Sequence, residues 1–285
     1  MKKLIILLGV LGGSFSAICV RLSNAPSMVL VFYRVAMAAL LLCPYVFWKA
    51  RGELKLLSRK EWLLCALSGL FLGLHFALYF ESLKYTGISS SVVLVNTEVF
   101  FVAFALLFLF REKISVMGWV GILATFSGSI VIAMADAGGG SNVLLGDGMA
   151  FLGAAAMAVY TLLGKVCRKR ISTTVYTFIV YTAAAATVLI MLCIGGTPVF
   201  GYEPVNYLTA LGMAVFSTLL GHSIFSWGLK YESASYISTV KLMEPVFASV
   251  LGLLIFGEVP DLIVVIGGCI VILGVYLYAG FAEKK

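Results

Sequence analysis

The sequence predicts an all-α polytopic membrane protein: ten transmembrane helices in two inverted-topology five-helix repeats. Three observations predict it. First, 62% of the 285 residues are apolar and only 12% charged, with a mean hydropathy of +1.08. Soluble chains carry about 25% charged residues, so too little polar side chain exists here to cover a soluble surface. Second, ten apolar runs, near 3–22, 28–48, 62–82, 88–110, 115–135, 146–166, 174–195, 205–229, 235–256 and 262–281, reach the roughly 20 residues that span a bilayer. Third, sliding Leu83–Glu112 by 146 residues lays it on Leu229–Glu258 without a gap. Leu83, Lys84, Tyr85, Ser89, Glu98, Phe101, Leu107, Phe110 and Glu112 then meet identical residues.

Taken in order, Met1-Lys2-Lys3 followed by Leu4–Leu11 imitates a secretory signal, but the apolar run continues to about Val20 and reads as the first helix. The connections are short and marked by Gly, Ser and Pro: Ser23–Ser27, Ala137–Ser141 and Gly195–Pro198. None can hold a soluble domain. The halves are expected at 1–137 and 138–285.

Orientation follows from Lys and Arg. With the N-terminus inside, sixteen of the twenty fall on the cytoplasmic side, among them Lys49, Arg51, Lys55, Arg59, Lys60, Lys165, Arg168, Lys169 and Arg170. Both termini are then cytoplasmic. The net charge of +7 is accounted for by anionic headgroups, without a nucleic-acid partner. Five helices per copy is an odd number, so the second copy enters the membrane upside down. Inverted repeats of this kind recur in secondary transporters, with the substrate site at the midplane.

Of the other four basic residues, Lys84 and Arg21 fall at the outer side; Arg34 and Lys241, with Glu98 and Glu244, lie inside the apolar runs, where a charge costs about 2.5–3.5 kcal/mol and so marks a pathway or a pair. Glu98 sits about 15 Å into the fourth run, near mid-membrane, and is suited to carrying a proton. Lys241 and Glu244 are three residues apart in the ninth run, on one helix face, and are expected to pair directly or to open for a ligand's carboxylate and amine. Arg34 lies six or seven residues into the second run, and its planar fork suits a carboxylate. The alternative for Glu98 is a permanent structural partner such as Arg34. Two cations against two carboxylates favour a zwitterionic or polar ligand over a bare cation.

His75, Tyr79 and Ser82 form one polar stripe at i, i+4 and i+7 of the third run; His222 and Ser226 do likewise in the eighth. Each histidine either lines a cavity or is satisfied by a neighbouring backbone group. Tyr33, Tyr160, Tyr181 and Trp227 are candidates for aromatic walls. Asn96 lies about 200° around the helix from Glu98 and is expected to face a neighbouring helix. Gly9/Gly13 and Gly69/Gly73 give small faces for close helix approach. Glu112 and Glu258, at helix ends on opposite membrane sides, read as anchors.

Several of these residues carry a likeness. Glu244-Pro245-Val246-Phe247-Ala248 with Gly257-Glu258 twelve residues on, Phe110-Arg111-Glu112-Lys113, and Phe32-Tyr33-Arg34 resemble the drug/metabolite transporter superfamily, in its ten-helix EamA branch. The resemblance implies a central cavity lined by helices 1–4 and 6–9, with helices 5 and 10 peripheral. It also implies export or exchange of amino acids, related metabolites or drugs across a bacterial inner membrane. Val99 stands where the family often has proline, so the fourth helix is expected to be straighter than the ninth.

No Walker motif or dinucleotide fingerprint occurs, and the six cysteines are scattered. No enzyme chemistry, cofactor or metal is expected. The expected function is proton-coupled export of a small polar metabolite by alternating access, by a monomer or homodimer. Arg34, Glu98, Lys241, Glu244, His75, Tyr79, Tyr160 and His222 are the expected substrate contacts and Glu98 the proton carrier. The rivals are a cationic-drug exporter of the same fold and an uncoupled facilitator or lipid flippase.

Overall fold

The computed structural model describes residues 2–134 and 141–281. The expected connection through Ala137–Gly140, and with it Asp136, Lys284 and Lys285, lies outside the described residues. Ten helices are long and apolar enough to cross a membrane. They are α1 (Lys2–Arg21), α2 (Ser27–Lys49), α3 (Arg59–Ser82), α4 (Ser90–Phe108), α5 (Val116–Met134), α6 (Val143–Cys167), α7 (Thr173–Ile194), α8 (Pro204–Gly228), α9 (Ala234–Phe256) and α10 (Leu262–Phe281). A short helix, Arg51–Leu56, joins α2 to α3. Local chemistry sets several starts: Ser58 and Glu61 form a capping box for α3, and Ser172 and Ser233 cap α7 and α9.

Glycine decides which helices touch. α5 and α10 make the most extensive pairing among the described residues. A Cβ on Gly274 would lie 2.3 Å from Thr125 Oγ1, and one on Gly128 2.7 Å from the Gly267 carbonyl, so only bare backbone fits this seam. Gly69 and Gly73 bring α3 against Val180 and Thr187 of α7, and Gly9 brings α1 against Ile224 of α8. Two large apolar clusters, with a smaller one around Cys19, Leu30, Ala210 and Met213, fill the rest. One joins Val31, Leu72, Tyr160, Tyr176 and Tyr181 from α2, α3, α6 and α7; the other joins Ile6, Val102, Ile237 and Val275 from α1, α4, α9 and α10. Each cluster draws on both halves of the sequence.

Three of the helices are irregular, and these irregularities organise the interior. α4 is two segments, Ile88–Asn96 and Glu98–Phe108, parted at Thr97. α9 is likewise parted at Leu242 and Met243 between Ala234–Lys241 and Glu244–Phe256. Both helices are therefore interrupted, α4 over one residue and α9 over two. Proline is not needed for the break: the Thr97 hydroxyl donates to the Leu94 carbonyl at 2.5 Å, and the Thr97 N–H takes that same carbonyl at 3.1 Å in a tight three-residue turn. The third irregularity is a π-helical stretch, Met213–His222, inside α8.

Contacts also fix relative direction. Lys2 Nζ stands 4.3 Å from the ring centre of Tyr231, Lys3 Nζ donates to the Ala279 carbonyl, and Arg168 Nε donates to the Ser226 carbonyl. The start of α1 and the ends of α6, α8 and α10 thus share one end of the bundle. At the other, Ser23 and Asn24 after α1 bond Asn206 near the start of α8. α1 and α6 run in opposite directions.

Candidate functional site

The two helix breaks set the charges. Glu98 and Glu244 are each the first residue of a second half-helix, where unsatisfied backbone N–H groups favour negative charge. Lys241 is the last residue of the first half of α9, where carbonyls favour a cation. The Lys241 ammonium bonds both carboxylate oxygens of Glu98 at 2.8 Å, and the Thr161 hydroxyl of α6 donates to Glu98 at 2.9 Å. Both side chains of this pair are about nine-tenths buried.

This arrangement corrects two expectations. Lys241 does not pair with Glu244, and Glu98 does not stand alone. The i,i+3 argument fails because the helix is interrupted: the turn at Leu242–Met243 takes Lys241 and Glu244 off a common face. Nor is Arg34 the partner of Glu98.

Arg34, only 3% exposed, donates through Nε to Thr218 Oγ1 at 3.1 Å and weakly through Nη1 to Ser16 at 3.4 Å. Its guanidinium carbon lies 4.8 Å from the ring centre of Phe76. Among the described residues it forms no ion pair. Thr218 belongs to the π-helical stretch, where it donates to the Met213 carbonyl and its own carbonyl accepts from Tyr181. The π register therefore carries the hydroxyl that holds Arg34, and π-bulges concentrate at functional sites.

The Glu244 carboxylate reaches toward α1, where Gly13 leaves room: a Cβ there would come 2.6 Å from Oε1. The Glu244 carbonyl accepts from Ser14 at 3.0 Å, while its carboxylate forms no ion pair among the described residues. Glu244 lies within electrostatic reach of Lys241, Arg34 and Glu98.

The histidines divide. His75 Nδ1 bonds the Gly153 carbonyl at 3.0 Å, which is the backbone-satisfied alternative. His222 Nδ1 is buried without a hydrogen-bond partner among the described residues, and its ring lies 5.7 Å from Phe76 and 6.3 Å from Tyr160 between centroids. Tyr160 bonds Ser226 at 3.2 Å, and Tyr79 stacks on His75 at 6.3 Å. Tyr181 joins this interior, whereas Tyr33 bonds the Val199 carbonyl and Trp227 packs on Tyr231. Asn96 faces α5, donating to Ser129 at 2.8 Å as expected.

Sequence reasoning missed Thr161, Ser14, Ser16 and Thr218. Thr161 and Lys165, four apart on α6, meet Glu98 at the break in α4 and Glu112 beyond its end. Small hydroxyls in an apolar run carry no signal of their own.

Two basic residues counted toward headgroups turn inward instead. Lys165 is 8% exposed and pairs with Glu112; Arg168 is 3% exposed and bonds Ser226, Ile171 and Thr173. Burial pulls the Arg168 guanidinium below its ordinary pKa, as desolvation does to any cation.

Ten apolar spans, two of them broken beside paired and unpaired buried charges, define a membrane transporter. The chain belongs to the EamA-like transporter family, whose sequence model matches residues 3–134 and again 144–280. It is 29% identical over 273 residues to an "Uncharacterized transporter" of Archaeoglobus fulgidus, covering 93% of this chain and 92% of that one. It is 24% identical over 253 residues to the "Pseudopaline exporter CntI" of Pseudomonas aeruginosa, covering 88% and 85% respectively. A solved crystal structure superposes with a TM-score of 0.83 over 99% of both chains at 17% identity, which shows the shared fold.

Proposed function

We propose that the protein is a secondary active transporter that exports a small zwitterionic metabolite, such as an amino acid, in exchange for protons. The observation that carries this reading is the contrast between the two pairs of buried charges. Lys241 and Glu98 neutralise each other across the two helix breaks, whereas Arg34 and Glu244 keep their charges free for a ligand. A substrate carboxylate meets Arg34, and its ammonium meets Glu244. His222 and Tyr160 supply the surrounding wall, with Tyr79 stacked on the backbone-bonded His75 beside them.

The proton moves with this reassignment. Glu98 is bridged by an ammonium, so a proton on it must first break the pair; Glu244 accepts one without breaking any. Substrate ammonium and proton then compete for Glu244, which is the logic of antiport. Outward, the ionised carboxylate carries substrate; inward, it returns protonated. The opposite directions of α1 and α6 support an inverted repeat of 1–137 and 138–285, and so rocking about a midplane site. The distribution of Lys and Arg supports cytoplasmic termini in a bacterial inner membrane.

The cationic-drug reading is disfavoured by Arg34, which repels a bare cation. A shallow, open apolar groove lined by Ile5, Thr173, Ser223, Ile224 and Trp227 is the observation a flippase reading rests on, and Arg34, Glu98, Lys241 and Glu244 do not line it. The test is a thermal-shift panel in detergent with amino acids against tetraethylammonium, since a ligand stabilises by mass action. Stabilisation by an amino acid, lost in Arg34→Gln, is expected. Stabilisation by tetraethylammonium alone contradicts the reading.

A further inference from the structure

Two ion pairs at opposite ends of the bundle repeat one construction. In the first half, Arg111 takes a left-handed φ of 55° after α4, and the next N–H, of Glu112, donates back to the Leu106 carbonyl at 2.9 Å. In the second half, Gly257 takes a φ of 70° after α9, and the N–H of Glu258 donates back to the Gly252 carbonyl at 3.4 Å. Every one of these residues maps onto its counterpart by the 146-residue offset. Arg111 is the only non-glycine residue with positive φ among those described, so a costly conformation is kept in order to aim the glutamate.

Each glutamate then takes a cation from the first helix of the other half: Glu112 pairs with Lys165 of α6, and Glu258 with Arg21 of α1. Lys165 lies within a turn of Arg168, at the end of the bundle where Lys2 meets Tyr231. Arg21 lies nineteen residues along α1 from Lys2, about 28 Å away at 1.5 Å per residue. The two pairs differ in depth. The Lys165 side chain is 10% exposed, and that of Arg21 is 53% exposed.

We propose that Glu112–Lys165 and Glu258–Arg21 are the two end locks of the transport cycle, each tying one half to the other at one end and each released when that end opens. The inference rests on the alternating-access reading above. Anchors of a rigid bundle would tolerate loss of either pair in the same way; locks on a rocking bundle bias it in opposite directions.

The experiment measures two distances by spin-label spectroscopy in a background with the six cysteines replaced. One label pair sits on the exposed residues Leu22 and Val259, the other on the exposed residues Lys113 and Val166. Glu112→Gln is expected to shift the Lys113–Val166 distances longer without lengthening Leu22–Val259, and Glu258→Gln to do the reverse. Because Glu112→Gln leaves Lys165 buried and unpaired, the double variant Glu112→Gln with Lys165→Met provides the same loss without an orphan charge. The exchange Glu112→Lys with Lys165→Glu should restore the wild-type distribution. If either neutralised pair lengthens both ends together, or neither, the locks are overturned. If each variant opens its own end while added amino acids never shift the wild type, the locks stand and the amino-acid reading of the substrate fails.

Discussion

Lys241 Nζ lies 2.8 Å from both carboxylate oxygens of Glu98, linking the C-terminal end of one half-helix to the N-terminal start of another 143 residues away in sequence. Removing one partner of a buried pair leaves an uncompensated charge and costs about 3–5 kcal/mol. Glu98→Gln is therefore expected to melt well below the wild type in detergent. Glu98→Gln with Lys241→Met should recover most of the loss. A double variant no more stable than the single one contradicts a paired bridge.

Gly13 makes room for the Glu244 carboxylate, and a Cβ there would meet Oε1 at 2.6 Å. Gly13→Ala should displace the carboxylate and lower transport by at least about tenfold, since small misplacements of a binding group are costly. Its stability should change little, because alanine gains about 1 kcal/mol of helix propensity over glycine. Gly148→Ala, which meets open space, serves as the control in the same uptake assay.

Arg111 occupies the left-handed region that its counterpart Gly257 occupies freely. Arg111→Gly is expected to raise stability by about 1 kcal/mol, and Gly257→Ala to lower it by about the same. Thermal melts of the two variants check the sign.

The hydrogen bond and charge of Arg21 hold the Glu258 carboxyl below its ordinary pKa. A carboxyl depressed on folding contributes stability above its unfolded pKa and loses it as pH falls through the folded value. The melting temperature should therefore fall more steeply with acidification below about pH 4.5 in the wild type than in Glu258→Gln. The pair is half exposed, so the difference should shrink in high salt.

The ten spans were legible because length and apolar content alone set a crossing helix, and the internal repeat was legible as a gapless alignment. What escaped was set by tertiary packing or by single backbone bonds. Val99 in place of proline gave no sign of an interruption in α4, yet the chain turns at Thr97, whose hydroxyl bonds the Leu94 carbonyl. Three-residue spacing argued for Lys241–Glu244, yet the intervening turn gives Lys241 to Glu98. Lys165 and Arg168 read as headgroup charges because sequence records their position at a helix end and not which way they turn. Arg34, Glu98, Lys241 and Glu244 were all visible in the sequence as charges within apolar runs; what each one contacts was not.

In the proposed cycle Glu244 exchanges substrate for a proton while Glu98 stays bridged to Lys241. Proteoliposomes holding an internal pH dye test this most directly, using the amino acid that stabilises the wild type best. A pH gradient should drive its uptake in the wild type, with matching proton movement, and Glu244→Gln should abolish both. Full gradient-driven transport by Glu244→Gln would contradict the claim.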